Sequence, residues 1–184
     1  GTHVITWSFD DGNGNITTET QNVIINDVTA PVADVATLAD VTAECEVASI
    51  TAPTATDNCG ATITGTTTDP LTYNTQGTYI ITWSFDDGNG NTSTQTQNVV
   101  INDVTAPVAD VATLADVTAE CEVALITAPT ATDNCGATIT GTTTDPLSYN
   151  TQGTHVVTWS FDDGNGNITT ETQNVIINDV TAPV

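Results

Sequence analysis

Clusters of carboxylate and amide oxygens recur in this chain, and such oxygens are the ligands that calcium takes in proteins. The stretch SFDDGNGN occurs at Ser8–Asn15, Ser84–Asn91 and Ser160–Asn167. Acidic and amide side chains alternate with glycine in it, a composition shared by calcium-binding loops and by tight hairpin turns. The octapeptide therefore indicates either cation binding or turn formation.

The EF-hand is the calcium loop with the best-defined spacing, and the octapeptide does not fit it. Asp87, Asn89 and Asn91 match its first three ligand positions. Thr92 stands where that loop requires its glycine, and Asn98 stands where it requires a bidentate glutamate. No helical pattern flanks the stretch. These differences exclude an EF-hand.

The octapeptide recurs because the whole chain repeats at a fixed spacing. Gly1, Gly77 and Gly153 begin equivalent segments, which sets the period (77 − 1 = 153 − 77 = 76). Residues 1–76 and 77–152 differ at eight positions. The sequence therefore predicts an excerpt from a longer array of small domains. The predicted division is the end of a module (1–26), two complete modules (27–102 and 103–178) and the start of another (179–184).

The elements that must position these side chains are strands. Thr, Val and Ile dominate the chain, with Gly, Asn, Asp and Pro between them. The clearest strand is Thr78–Asp86, whose alternation places Tyr79, Ile81, Trp83 and Phe85 on one face. The DDGNGN stretch that follows predicts a hairpin turn, with glycines that supply backbone conformations closed to other residues.

Six or seven short strands in each period, with one tryptophan, predict the fold class: all-β, as tandem immunoglobulin-like antiparallel β-sandwich modules. We expect Trp7, Trp83 and Trp159 in the cores. Further strands are predicted at Val32–Thr37, Val41–Val47 and Ala61–Thr68, with a short one near Tyr73.

Module boundaries are predicted at the motif NDVTAPV, which occurs at Asn26–Val32, Asn102–Val108 and Asn178–Val184. Its proline ends the preceding strand and stiffens the joint. The link is only a few residues long, so neighbouring modules must lie close together. We expect a semi-rigid rod, with neighbouring modules of the same chain as partners.

Charge narrows the function. The chain has 23 acidic residues and no lysine or arginine, for a formal net charge of −23. We therefore expect no nucleic-acid partner, no attachment to anionic lipid through a basic patch and no direct membrane insertion. No nucleophile, acid–base or phosphate motif is present, so we expect no enzyme.

The four cysteines come as two in each period: Cys45 and Cys59, then Cys121 and Cys135. Their spacing does not fit a zinc site, and paired cysteines in a small module indicate disulfides in an oxidising compartment. Four cysteines allow three pairings. Repetition favours Cys45–Cys59 and Cys121–Cys135, because each module then carries its own disulfide.

Topology offers a second route to a metal site. In an immunoglobulin-like sandwich, the loop after the second strand and the last hairpin turn share the pole where the chain enters. If Val41–Val47 is the second strand, TATDNCG is that loop, and oxygens from both segments converge without a counter-cation. This predicts a possible calcium ion at each module junction; the alternative is turn residues facing water. The candidate ligands are Asp27, Asp57, Asn58, Asp86, Asp87 and Asn89 in one module, and Asp103, Asp133, Asn134, Asp162, Asp163 and Asn165 in the next.

The order PTATDNCG, GTYIITWSFDDGNGN and VVINDVTAP resembles the hyalin repeat (HYR) module, an immunoglobulin-like extracellular domain. The sequence is also similar to the form of this module found in giant surface adhesins of Bacteroidetes, including gliding-motility adhesins exported by the type IX secretion system. The family often has a cysteine after the GN turn, where this chain has GNTSTQT, so that form's cysteine pairing cannot apply here. The resemblance implies an extracellular location on a bacterial cell surface, adhesion or a stalk, and no catalytic residues.

Three functions remain open from the sequence. In the first, each module adds length to a stalk or filament that projects a distal adhesive tip. In the second, every module binds a glycan or a surface weakly, for example surface polysaccharide, and the array multiplies the affinity. In the third, rows of threonine bind ice or mineral surfaces. Near-identity of the modules favours the stalk, because reach depends on their number.

Overall fold

The computed structural model describes residues 1–136 and 138–183, so Val184 of the third NDVTAPV motif lies outside the described residues. Every regular element in these ranges is a β-strand, which confirms the predicted all-β fold. A hairpin of β1 (Thr2–Asp10) and β2 (Ile16–Ile24) comes first. The next six strands are β3 (Val32–Ala33), β4 (Val41–Ala43), β5 (Thr54–Thr56), β6 (Thr62–Thr64), β7 (Gly77–Asp86) and β8 (Thr92–Ile101). The last six are β9 (Val108–Ala109), β10 (Val117–Ala119), β11 (Thr130–Thr132), β12 (Thr138–Thr140), β13 (Gly153–Asp162) and β14 (Ile168–Ile177).

The chain divides into two compact units whose limits do not follow the period of the sequence. Unit 1 comprises Gly1–Asp40, Ile50–Pro70 and Ile80–Asn98. Unit 2 comprises Val41–Ser49, Leu71–Tyr79 and Val99–Val184. Unit 2 therefore contains the second complete repeat together with parts of the first. The module boundaries drawn from the sequence stay a prediction.

The second repeat, which lies within unit 2, is a two-sheet sandwich. One sheet has the strand order β12-β11-β9 and the other β10-β14-β13. Side chains of both sheets meet in one core, in which Trp159 and Phe161 of β13 are the largest buried residues. The Trp159 indole Nε1 donates to Gln173 Oε1 at 3.1 Å, so its polar atom is satisfied. The other buried members of this core are Val123, Ile126, Ala131, Val157, Val175 and Ile177.

Unit 1 contains the β1–β2 hairpin, the sheet β3-β5-β6, and most of β7 and β8. Ile81, Trp83 and Phe85 are buried at alternate positions of β7, which confirms the predicted inward face. Trp7, expected in a core, is instead 51% exposed. Its sheet, as the structure describes it, consists of β1 and β2 alone, so neither face of Trp7 is covered by a third strand of that sheet.

The DDGNGN stretch closes the β7–β8 hairpin, as predicted. Asp87 N–H donates to Asn91 O at 3.3 Å across the turn. Gly88 and Gly90 have φ of 77° and 100°, a left-handed region that other residues rarely adopt. Both glycines are therefore required by the turn itself.

Several details of the fold differ from the predictions. Of the predicted strands Val32–Thr37 and Ala61–Thr68, only Val32–Ala33 and Thr62–Thr64 are strands. The region Val41–Val47 is a strand only over its first three residues, followed by an isolated bridge from Val47 to Tyr73. β4 pairs in parallel with the end of β8, since the chain crosses over before it joins that sheet. The segment TATDNCG is not all loop, because Thr54–Thr56 pairs with β3 and β6.

Among the described residues, no helix has the length and apolar character needed to cross a membrane.

Candidate cation site and the joint between repeats

Two carboxylates and a cysteine sulfur meet at the start of the second repeat. Asp103 follows β8, and Asp133 and Cys135 lie in the turn between β11 and β12. Asp103 and Asp133 are only 4% and 5% exposed. One carboxylate oxygen of each lies with Cys135 Sγ in a group whose members are all within 4.8 Å of one another. The fold therefore concentrates buried negative charge at this end of the sandwich.

The hydrogen bonds of this cluster come from both neighbouring turns. Asp103 Oδ2 accepts from Asn165 Nδ2 at 3.2 Å, and its main-chain oxygen accepts from Asn167 Nδ2 at 3.2 Å. Cys135 N–H donates to Asp133 Oδ2 at 2.8 Å. The β13–β14 turn is thus fastened to the residue that starts the repeat.

One oxygen in the cluster lacks a donor. Asp133 Oδ1 is buried, and no described residue donates a hydrogen bond to it. The same holds for Asp57 Oδ1 in the first repeat, where Asp57 is 5% exposed. Leaving a buried charged oxygen without a partner costs roughly 1–3 kcal/mol or more. A cation is the kind of ligand that satisfies such an oxygen.

Unit 1 contains the same cluster around Asp27. Asp27 Oδ2 accepts from Asn89 Nδ2 at 3.3 Å and lies 3.6 Å from Cys59 Sγ. Cys59 N–H donates to Asp57 Oδ2 at 2.9 Å. Asp27, Asp57 and Cys59 again form a three-atom group within 4.8 Å. The negative charge of Asp27, followed by burial and by Asp57, raises the pKa of the Cys59 thiol.

The aspartates of the β7–β8 and β13–β14 turns accept hydrogen bonds from their own turns. Asp86 Oδ1 accepts from Gly88 N–H at 2.8 Å. Asp87 accepts from Asn91 Nδ2 at 2.6 Å and from two main-chain N–H groups, and the Asn91 bond above all lowers the pKa of Asp87. Asp162 and Asp163 make the equivalent bonds with Gly164 and with Asn165 and Asn167. Each pair of aspartates therefore stabilises the conformation of its own hairpin turn.

Two candidates remain. Asn58 is exposed. Asn134 Nδ2 donates to Glu44 Oε2 at 2.7 Å. Sequence reasoning thus grouped twelve residues, and the structure brings together Asp27, Asp57 and Asn89 in one repeat and Asp103, Asp133 and Asn165 in the other.

Glu44 links the first repeat to the second within unit 2. Its Oε2 accepts from Thr105 Oγ1 at 2.6 Å as well as from Asn134. The Thr105 hydrogen bond is the main reason why the pKa of Glu44 is lowered. Gln76 adds a bridge, since its Nε2 donates to Glu44 O at 2.8 Å and its Oε1 accepts from Asp103 N–H at 2.9 Å.

A disulfide joins the same two repeats. Cys45 is bonded to Cys135, at a sequence separation of 90 and with their Cα atoms 5.2 Å apart. The pairing predicted from repetition, Cys45–Cys59 and Cys121–Cys135, is therefore wrong. Cys59 and Cys121 carry free, exposed thiols.

The second repeat shows why its own cysteines do not meet. Cys121 follows β10, whose Ala119 pairs with Ile177 at the end of β14. Cys135 lies beside Asp103, which is held by Asn167 just before β14 begins. A ten-residue strand spans roughly 30 Å, whereas bonded cysteines need Cα atoms within about 7 Å. The two cysteines of one repeat thus lie at opposite ends of its sheet.

Sequence reasoning missed the residues that build the joint. Glu44 and Gln76 lie in segments with no motif, and Thr105 falls in the proline-containing link. The same residue types occur one period later, at Glu120, Gln152 and Thr181. This recurrence was the one signal that the sequence offered. Near-identity of the whole period concealed that signal, because 68 of the 76 positions are the same in residues 1–76 and 77–152.

The chain is similar to proteins of known identity. The chain is 37% identical over 183 residues to hyalin of Strongylocentrotus purpuratus, covering 90% of this chain and 15% of hyalin. It is 36% identical over 182 residues to hyalin of Lytechinus variegatus, covering 91% of this chain and 34% of that protein. The chain therefore spans only a minor part of the length of either relative.

Solved structures with some likeness include mouse cadherin-23 EC22-24, at 13% identity and a TM-score of 0.35 over 97% of this chain and 74% of that one. Mouse clustered PcdhgC3 EC1-3 matches at 8% identity and a TM-score of 0.34, over 97% of this chain and 77% of that one.

The model of the HYR-like domain with 4 cysteines matches residues 28–101 and 104–177. The first match contains Cys45 and Cys59, and the second contains Cys121 and Cys135. Hyalin-like repeats and a disulfide are together consistent with an extracellular protein. The chain belongs to the family of HYR-like domains with four cysteines, as two consecutive copies.

Proposed function

We propose that this chain is a structural segment of an extracellular adhesin, in which successive repeats form a stalk that holds a distal adhesive part away from the cell. One observation carries the proposal: the two repeats are joined by a covalent bond and by a set of hydrogen bonds. A joint of this kind restrains bending between repeats, so each added repeat adds reach. The setting in a bacterial gliding adhesin, exported by a type IX system, remains an expectation from resemblance.

The stalk function is tested by the scaling of length with repeat number. Chains with two, four and eight complete repeats are prepared under oxidising conditions, and the maximum dimension is measured by small-angle X-ray scattering. A stalk requires this dimension to rise in proportion to the number of repeats. Growth with about the square root of that number, as for a flexible chain, would contradict the proposal.

The same chains separate the stalk from the binding module. Binding to a glycan array that strengthens with repeat number would favour weak recognition by every repeat. A stalk requires no signal that depends on repeat number.

We further propose that Asp57 and Asp133 bind calcium, each with the aspartate that starts its repeat. Support comes from the buried Oδ1 of each residue, for which no described group is a donor. Two carboxylates supply fewer oxygens than the six to eight that calcium takes, so water would complete the shell. Cys135 is excluded as a ligand, because its sulfur is in a disulfide.

Calcium binding is tested by thermal unfolding after chelation. A ligand that binds only the folded state stabilises it by about 2.7 kcal/mol at a hundred times its Kd. We expect the melting temperature to rise in millimolar calcium, and the rise to vanish in the double variant Asp57→Asn/Asp133→Asn. Asp162→Asn is the matched control, since Asp162 caps the turn. An equal response of the double variant, or none in the parent chain, would eliminate the site.

A further inference from the structure

The two free cysteines occupy the same places as the two bonded ones. Cys121 lies one period after Cys45 (121 − 45 = 76), and Cys59 lies one period before Cys135 (135 − 59 = 76). Cys45 and Cys135 are bonded to each other. Each free thiol therefore belongs to one half of a joint whose other half would come from another repeat.

The half-joint at Cys121 has three of the four side-chain hydrogen bonds of the complete one, without the bond that Asn134 donates to Glu44. Gln152 Nε2 donates to Glu120 O at 2.9 Å, and Gln152 Oε1 accepts from Asp179 N–H at 2.9 Å. Thr181 Oγ1 donates to Glu120 Oε2 at 2.9 Å. The corresponding distances around Glu44 in the bonded joint are 2.8, 2.9 and 2.6 Å. The counterparts of Glu44, Gln76 and Thr105 thus already make their mutual hydrogen bonds in the half-joint at Cys121.

The half-joint at Cys59 matches as well. Cys59 N–H lies 2.9 Å from Asp57 Oδ2, and Cys59 Sγ lies 3.6 Å from Asp27 Oδ2. For the bonded Cys135 the two distances are 2.8 and 3.6 Å. Cys59 is also exposed, so a second sulfur can reach it.

We propose that Cys121 bonds the second cysteine of another repeat of this type, and Cys59 the first cysteine of another, so that an array is held by a continuous ladder of disulfides between neighbouring repeats. In each bond two thiols lose their hydrogens and one S–S bond forms. The two electrons and two protons pass to a small disulfide, which is reduced to two thiols.

The ladder limits how far an array can be stretched. The shortest covalent path through a repeat runs along the chain from Cys121 to Cys135 (135 − 121 = 14) and then across a disulfide. A segment of this length spans at most roughly 50 Å, whereas the chain of a full period spans roughly 250–270 Å. Even an unfolded array would therefore extend to only about a fifth of its contour length. This consequence rests on the proposed function as a stalk, whereas the cysteine pairing does not.

The pairing is tested by adding one repeat to the chain. Residues 33–108 are appended after Val184, and both the parent and the extended chain are oxidised with a small disulfide. The proteins are then denatured, alkylated without reduction and cut before aspartate. Cys121 lies in the peptide DVTAECEVALITAPTAT, which differs from the peptides of the other first cysteines at Leu125.

In the monomeric parent chain, we expect the Leu125 peptide to be alkylated or to carry half of the small disulfide. In the extended chain, we expect it to be linked to DNCGATITGTTT. Replacing the appended repeat's second cysteine by serine should abolish this link. A Leu125 peptide that is not linked to DNCGATITGTTT in the extended chain, or is already linked to it in the monomeric parent, would overturn the ladder. Neither result would affect the length measurement that tests the stalk, so the two proposals fail separately.

Discussion

Cys45 of one repeat is bonded to Cys135 of the next, whereas Cys121 and Cys135, which belong to the same repeat, lie at opposite ends of its sheet. A disulfide in a small extracellular domain usually closes a loop within that domain. Here it joins positions at a sequence separation of 90 and crosses a repeat boundary. Folding of one repeat and docking of the next are therefore coupled through one covalent bond.

Removing this bond should destabilise unit 2. In the chain-entropy account, a bond that closes a loop of this length contributes roughly 4–5 kcal/mol, and measured values are often smaller. We expect the double variant Cys45→Ser/Cys135→Ser to unfold at lower urea concentration, followed by tryptophan fluorescence and near-ultraviolet circular dichroism. The matched control is Cys59→Ser/Cys121→Ser, which removes two thiols and no bond. Equal destabilisation of both variants would contradict the assigned pairing.

Acid should weaken the joint through Glu44. The hydrogen bond from Thr105 lowers the pKa of Glu44 below its ordinary value of 4.5. A carboxyl whose pKa is lowered by folding stabilises the fold above its unfolded pKa, and this contribution is lost as the pH falls through the folded pKa. We expect Glu44→Gln to be less stable than the parent chain at pH 7, with the difference shrinking below pH 4.5. Urea unfolding between pH 7 and pH 3 measures the difference in free energy of unfolding between the two chains. A difference that does not change with pH would rule out the assigned role of the carboxylate.

Cys59 should react slowly with alkylating agents. Asp27 is the main cause of its raised pKa, so less thiolate is present at a given pH. In a Cys121→Ser chain, where Cys59 is the free thiol, we expect Asp27→Asn to increase the rate of iodoacetamide alkylation at pH 8. Asp86→Asn is the control, because Asp86 caps the turn. Equal rates in all three chains would show that Asp27 does not control this thiol.

Gly141 should tolerate no side chain. A Cβ atom there would lie 3.0 Å from Phe161 Cε1 and 3.2 Å from Pro129 O. Such overpacking of a core costs typically about 1–3 kcal/mol. We expect Gly141→Ala to lower the free energy of unfolding by this amount, and Gly1→Ala, which adds a methyl group in open space, to leave it unchanged. A neutral Gly141→Ala would mean that the sheets separate easily at this point.

Much of the fold was predictable, because the hydrophobic alternation and the turn residues of the sequence agree with the strands and turns of the structure. Alternation in Thr78–Asp86 indicated the buried face of β7, and DDGNGN indicated the turn with Gly88 and Gly90. The short strands β3 and β4 were predicted too long, since threonine- and valine-rich segments favour extended backbone even where no partner strand pairs with them.

The disulfide could not be predicted from repetition. The partner considered within the repeat, Cys59, and the actual partner, Cys135, are separated by one full period. Both pairings therefore repeat equally well along an array. The choice between them depends on which end of the sheet each cysteine occupies, and the crossover of β4 onto β8 decides this.

The sequence predicted only part of the candidate cation site, because the position of a residue in the chain does not fix the direction of its side chain. Asp27 lies in one group with Asp57 and Cys59 and accepts a hydrogen bond from Asn89, although part of TATDNCG is a strand and not a loop. Asp86 and Asp87 are neighbours of Asn89 in sequence, but proximity along the chain does not fix where a side chain points. Their side chains cap the N–H groups of their own turn, a local alternative that short acidic residues commonly take.

The covalent link between repeats is tested most directly by pulling single molecules from the two chain ends, before and after a reducing agent is added. Reduction of a bond between Cys45 and Cys135, at a sequence separation of 90, should release roughly 300–320 Å of added contour length. Two disulfides within repeats would each close a much shorter segment (59 − 45 = 135 − 121 = 14) and would release roughly 90–100 Å in total. We predict a gain of roughly 300 Å, whereas a gain of roughly 100 Å, or none, would contradict the joint described for this chain.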